Sequence, residues 1–316
     1  MAQLDLRLYE EGSERVLKVE LDAIRVPVED RSLLWVDLAD GEAALAQLER
    51  LDLERATREL VEMSGRSIAF HGDTVRLSVL GLSGATHELV PTRLALLLAR
   101  NTVVTIHDEP IRGLTDPISV MAHDPRFGRL DAAHFAGLLL EGMLAGYDDV
   151  IEDLGREIDE LDERALQRES GEGLLEAMVD LRRRIAMLRR ALAPQRAIFV
   201  ALITPVEDDP PPVGLPDASL LAHLERTVDA VERLREQLIG SFDILMARTG
   251  QRTNDVMRVL TVVSAVLLPA SLLAGIMGMN FQPSFFERPE LFFVVLVVMV
   301  VIAVGTLAFA RRRRWI

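Results

Sequence analysis

The 316-residue chain has no cysteine. That excludes a disulfide framework, a thiolate nucleophile and any cysteine-built zinc site. Positive charge is also scarce: 35 Lys and Arg stand against 49 Asp and Glu, a net charge of −14 and a pI near 5.0. A phosphate backbone must be met by a basic face, so nucleic acid is excluded as a partner. The opening residues, MAQLDLRLYEEGSERV, lack a basic segment followed by an apolar core. They do not read as a signal peptide, and the N-terminal part is expected to stay in the cytoplasm. What the chain does have is apolar side chains in quantity. It is 49% hydrophobic and 27% charged, with mean hydropathy +0.21. So many charges with a positive average require the apolar residues to be concentrated in runs. The length is enough for one or two domains with a buried core.

The runs lie near the C-terminus. No charged residue occurs between Val259 and Phe286. Val259–Met279 and Leu291–Ala310 are each about 20 residues long, enough to cross a hydrocarbon core as helix. Residues 280–290, NFQPSFFERPE, are too few for a domain and too polar for lipid. Two spans with a tight external loop follow. Arg311, Arg312, Arg313 and Arg314 flank the second span, and Arg252 and Arg258 precede the first. The loop has Arg288 alone, beside Glu287 and Glu290. The positive-inside rule then puts both termini in the cytoplasm and predicts a two-span inner-membrane protein. Trp315 and the Phe281, Phe285, Phe286 group suit the two interfaces.

Residues 1–129 mix periods. Arg15–Val26, Leu33–Leu38, Thr74–Leu80 and Thr102–His107 read as strands, and Glu42–Leu51 and Leu53–Met63 as helices. The expectation is a layered α/β domain. Residues 130–203 read as two long helices, Leu130–Gln167 and Glu172–Ile203. The first is acidic and the second carries Arg182, Arg183, Arg184, Arg189, Arg190 and Arg196. One account is an antiparallel pair laced by ion pairs of little individual worth. The other is an acidic helix that concentrates cations near a pore mouth. Residues 204–216 form a proline-rich linker. From Asp217 a helical pattern runs without a convincing stop into the first span. Its cytoplasmic part is 217–258, followed by spans 259–279 and 291–310 and the basic tail 311–316. Helix from Asp217 to Met279 would be about 90 Å long at 1.5 Å per residue.

Two spans cannot enclose an aqueous path, so transport requires several copies in a ring. In the first span Asn254, Met257, Leu260 or Thr261, Ser264, Leu268, Ser271 and Gly275 recur at three- and four-residue steps. That stripe of small, polar and flexible residues fits either a pore lining or plain helix packing. The second span has no such stripe and reads as lipid-facing.

Thr253–Phe281, TNDVMRVLTVVSAVLLPASLLAGIMGMNF, resembles the signature region of the CorA family of divalent cation transporters. It has Asn-x-x-Met-basic-x-Leu-Thr, a mid-span Pro269 and Gly278-Met279-Asn280 at the outer end of the first span. A basic tail ending Arg-Trp-Ile follows the second span. Upstream, the run Trp35-x-Asp37-Leu38 and the order of domains agree. The resemblance implies a homopentamer with a funnel-shaped cytoplasmic assembly, and passive passage of hydrated Mg²⁺, Co²⁺ or Ni²⁺. It implies no resident cofactor and no enzymatic activity; the metal is cargo. Gly278, Met279 and Asn280 would form the selectivity site, with Asn280 holding the hydrated ion, since Mg²⁺ sheds water reluctantly and prefers oxygen. Asn254, Met257, Leu260, Ser264, Leu268, Ser271 and Gly275 would line the pore, the large apolar ones as dewetting constrictions. Glu287 and Glu290 would attract cations from outside. The chain departs from the family's usual pattern at Met277, where tyrosine is common, and at Ser219, near where a regulatory aspartate is expected.

Three other readings stay open. The runs Arg189–Arg196, RRALAPQR, and Ala247–Gly250, ARTG, resemble the zinc-transporting ZntB-like branch of the same superfamily. All six histidines (His71, His87, His107, His123, His134, His223) lie outside the spans, which argues against tight zinc ligation but not against hydrated zinc. A membrane-anchored sensor or scaffold is the second. An enzyme built on His107, Asp108 and Glu109 is the third; a solvated loop explains those residues as well.

Overall fold

The structure, a computed structural model, describes residues 3–10, 16–18, 32–39, 54–62, 67–71, 74–114, 132–166, 171–204, 219–278 and 289–312. The expected helix Glu42–Leu51 and the linker 205–216 lie outside them. The chain divides into two units, Met1–Ser241 and Phe242–Ile316.

The first unit is built on a seven-stranded sheet: β1 Gln3–Glu10, β2 Val16–Lys18, β3 Ser32–Ala39, β4 Ser67–His71, β5 Thr74–Ser83, β6 Val90–Ala99 and β7 Thr102–His107. Their order is β2-β1-β3-β7-β6-β5-β4. Only β3 and β7 pair in parallel, with Trp35 opposite Val103 and Asp37 opposite Thr105; every other pair is antiparallel. Strands β5 to β7 are buried on both faces, so they read as near-continuous apolar runs such as Leu94–Leu98. Helix α1, Glu54–Glu62, covers one face. Arg93 of β6 bonds Ser78 and reaches the Leu60 and Val61 carbonyls, orphans of the last turn of α1. Helix α2, Ala132–Leu166, covers the other face, where Phe135 packs on Trp35 and Tyr9 at ring centroids 5.5 and 5.4 Å.

Three helices complete this unit: α2, α3 Gly171–Leu192, and the first part of α5 Ser219–Gly278, with a short α4 Arg196–Ile203 between α3 and α5. The stripe Leu174, Met178, Leu181, Ile185, Leu188, Leu192 on α3 is buried at steps of three and four. So is Leu220, Leu224, Thr227, Val231, Leu234, Leu238, Ser241 on α5. That is the pattern of helices packed along an apolar seam. Gly155 of α2 would place a Cβ 3.6 Å from Leu234 Cδ2, ordinary contact between α2 and α5. The expected pair of long helices is present, and its lacing by ion pairs is corrected in part. Arg184 joins α3 to Glu157 of α2, but Arg189 and Arg196 of α3 and α4 bind Glu232 and Glu225 of α5. Arg189 and Arg196 were assigned to the wrong acidic partner because partner choice depends on tertiary packing. The expected helix 172–203 is also interrupted, by a 3₁₀ turn at Ala193–Gln195. Pro194 removes the donor that a continuous helix needs.

In the second unit α5 continues to Gly278, and α6 spans Pro289–Arg312. Among the described residues these are the two helices long and apolar enough to cross a membrane.

Candidate functional site

The second unit has almost no interior. Leu245, lower on α5, is buried, and among the described residues of the two apolar spans the buried side chains are Val262 and Ala310. Around them one stripe on each helix is partly covered: Val266, Pro269, Ala270 and Leu273 on α5, and Val295, Met299, Ile302, Ala303 and Thr306 on α6. At about 100° per residue the α5 stripe is centred within a few tens of degrees of Val262. The α6 stripe lies in the same way around Ala310. These are the inward faces of the hairpin.

The residues predicted to line a path fall on the other side of α5. Met257, Leu260, Ser264, Leu268, Ser271 and Gly275 are centred roughly 180° from the covered stripe. All are exposed, Leu268 most of all at 70%. A Cβ built on Gly275 meets no heavy atom within 4 Å. Asn254, about 80° around the helix from Val262, is exposed at the lower edge of that face. This face carries no charged residue between Asn254 and Gly275. Its hydroxyls differ in state: Thr253 and Thr261 donate to the carbonyls of Thr249 and Met257, at 3.0 and 2.7 Å. Ser264 and Ser271 make no such bond among the described residues. Gly278 is the last residue of α5, whereas Met279, Asn280 and Glu287, and the side chain of Glu290, lie outside the described residues.

The rival cluster at the end of β7 has a structural task. Trp35 Nε1 donates to Thr105 Oγ1 at 2.9 Å, Thr105 donates to Asp37, and His107 Nε2 sits 3.2 Å from the same carboxylate. Burial works against the charge of His107. The bond and charge of Asp37, the backbone at Glu109 and the charge of Asp108 outweigh it and raise the imidazole pKa above the ordinary 6.5. The group ties β3 to β7, and Asp108 and Glu109 face solvent. Among the described residues no group of three or more His, Asp or Glu side chains is arranged to hold a metal ion.

Residues 30–312 match the sequence profile of the family described as CorA-like Mg²⁺ transporter protein. The chain belongs to that family. Family members are metal-ion transporters, not enzymes, and this CorA-like chain is a membrane protein with two spans. It is 29% identical over 241 residues to a cobalt/magnesium transport protein CorA of Thermotoga maritima, covering 73% of this chain and 66% of that one. Over 153 residues it is 31% identical to a divalent cation transporter CmaX of Pseudomonas aeruginosa, covering 47% of this chain and 43% of that one. A complete CorA magnesium transporter structure from Methanocaldococcus jannaschii superposes with TM-score 0.76 at 21% identity over 99% of both chains. That likeness fixes the CorA fold: a soluble α/β domain, long helices and two apolar C-terminal helices. Sequence reasoning missed the arrangement of arginines at the lower end of the hairpin. The sequence shows those arginines at the span ends but not on one face, because the covered face is set by packing.

Proposed function

We propose that five copies of this chain form a channel that passes hydrated Mg²⁺, and Co²⁺ or Ni²⁺, across the inner membrane, with both termini in the cytoplasm. The observation that carries this reading is the uncharged face of α5 from Asn254 to Gly275, turned away from α6 and left uncovered among the described residues. A pair of spans leaves such a face to lipid or to other copies. Ser264, Ser271 and Asn254 suit water rather than acyl chains. In a ring of copies Met257, Leu260 and Leu268 narrow the path and dewet it when closed. Asn280, in the loop after Gly278, then closes the external end with a circle of amides. These bind a hydrated ion through its water without a fixed charge to trap it. Glu287 and Glu290 raise the local cation concentration outside that circle. A membrane potential of about 100 mV supplies roughly 4.6 kcal/mol to a divalent ion, over a thousandfold in gradient. No coupled energy source is needed for uptake.

Relatives named for cobalt and magnesium favour those ions over zinc as cargo. Uptake into proteoliposomes, compared for Mg²⁺, Co²⁺ and Zn²⁺, tests this directly. The expected result is Mg²⁺ and Co²⁺ flux that rises with an inside-negative potential and drops at least tenfold in Asn280→Ala. Zinc flux without magnesium flux would replace this reading with the ZntB-like one. Wild-type protein that moves no metal would leave only the anchored sensor.

A further inference from the structure

Charge in the second unit is segregated by helix face. Phe242–Ile316 holds eight arginines and four carboxylates, a net of +4 in a chain whose total is −14. On α5, Arg248, Arg252 and Arg258 all precede Val262 and lie within about 80° of it around the helix, on the α6-facing side. The opposite face is free of charge from Asn254 to Gly275. On α6, Arg311 and Arg312 come directly after Ala310. Val262 and Ala310 are the buried positions of the two spans among the described residues, so the arginines surround the lower end of the hairpin's closed seam. Little neutralises Arg252, Arg258, Arg311 and Arg312. Arg258 approaches Asp255 at 3.4 Å, both side chains being well exposed, and an exposed pair of that kind holds weakly. Arg252, Arg311 and Arg312 form no ion pair among the described residues. Within about a turn of these guanidiniums, Val259, Val263, Leu307 and Phe309 expose 45–55% of their surface.

We propose that this arginine collar binds the headgroup phosphate of an anionic phospholipid. Guanidinium forks match phosphate oxygens in a bidentate way. Exposed apolar side chains one turn into the membrane offer a place for the attached acyl chains, which a soluble phosphate or an acidic peptide does not have. The collar is at headgroup depth because it begins where the apolar spans end. Each basic residue near such a surface contributes about fivefold in association, and the contribution fades with added salt. The inference needs the two spans, not the pore.

Brominated lipids test it through Trp315, three residues beyond Arg312; the other tryptophan, Trp35, is 2% exposed within the sheet. The full chain is reconstituted in vesicles containing equal amounts of phosphatidylglycerol and phosphatidylcholine, with bromine on one or the other. Bromophosphatidylglycerol should quench Trp315 with a relative association constant tens of times that of bromophosphatidylcholine. The preference should fall toward unity in R258Q/R311Q/R312Q and shrink in high salt. R182Q/R183Q, which removes exposed charge from α3, should keep it. Glycerol phosphate added in excess should not displace the lipid. Equal quenching of the wild type by both lipids overturns the proposal, and this arm stands even if the triple variant does not fold. So does a full preference in the triple variant, and so does displacement by glycerol phosphate, which would make the collar a soluble-phosphate site. Asn280→Ala should lose flux and keep the lipid preference, so a failed pore and a failed collar give different results.

Discussion

Met1–Ser241 and Phe242–Ile316 use the same kinds of side chain for opposite ends. The first unit carries a net −18 and turns its leucines inward: Leu33, Leu34, Leu77, Leu82, Leu94, Leu96 and Leu97 are all fully buried. Its polar groups are tied to each other across long sequence distances, as in Asp148, which accepts from Thr227 at 2.9 Å and meets His223 Nε2 at 2.7 Å. The second unit carries +4 and turns its leucines and valines outward. Such a surface is untenable in water over two whole helices, but it is what a bilayer solvates, with every backbone group satisfied inside the helix. Cohesion in the first unit is internal. In the second it must come from outside the hairpin. Substitutions that disturb packing should therefore register in the first unit and pass almost unnoticed as stability changes in the second.

The largest effect is expected at the glycines where a loop crosses α2. Gly113, at φ 80°, lies against Gly142, and a Cβ on Gly146 would come within 2.6 Å of the Arg112 carbonyl oxygen. Both neighbours are backbone and cannot rotate aside. Gly146→Val should destabilise the first unit by about 3 kcal/mol, the upper end for overpacking, read as an earlier unfolding transition of Trp35 fluorescence in the purified full chain. An unchanged transition would mean that the loop and helix do not meet. Next comes Gln195, fully buried, whose amide accepts from Leu80 N and donates to the carbonyls of Leu80 and Ala191. It occupies the rung of β5 just past the end of β4, where the strand edge has lost its partner. Gln195→Leu keeps the volume and leaves the Leu80 N–H unpaired, so a loss of about 2 kcal/mol is expected by denaturant unfolding.

How much of this was legible depends on whether the signal is periodic or spatial. β7 falls on Thr102–His107 as read, and α1, α2 and α5 fall within two residues of expectation. Their apolar steps are set by burial on one side. β6 was missed because both its faces are covered, which erases alternation, and because Pro91 reads as a breaker. β1 alternates Leu4, Leu6 and Leu8 with Asp5, Arg7 and Tyr9, a pattern open to reading and passed over. The candidate stripe on α5 was readable for the same reason as its helix. Which face α6 covers was not, since the period alone makes all faces equivalent and only burial singles one out. The partners of Arg189 and Arg196 were likewise invisible, because long charged side chains reach whichever helix the core brings near.

A smaller effect belongs to His107. Its pKa is raised in the fold, so the protonated form is the one the fold prefers. The stabilisation is complete below about pH 6.5, the unfolded value, and is lost as pH rises through the folded value. His107→Gln should remove that pH dependence at a cost of no more than about 1 kcal/mol at low pH, measured by urea unfolding of both proteins across pH 5 to 9. A wild type as stable above pH 8 as below 6 would show that the Asp37 contact is not made by a charged imidazole.

The smallest stability effect, and the sharpest division between the units, is expected at Leu268. A buried leucine cut to alanine costs about 2–5 kcal/mol. Leu268 is 70% exposed, so Leu268→Ala should shift unfolding by less than about 0.5 kcal/mol. If α5 lines a conduit, the same change widens an apolar constriction and weakens its dewetting, so resting Mg²⁺ flux in proteoliposomes should rise severalfold. Stability and transport then separate at one residue. A clear loss of stability without a change in flux would instead mean that Leu268 packs in an interface between copies, and the conducting face of α5 would have to be sought elsewhere on the helix.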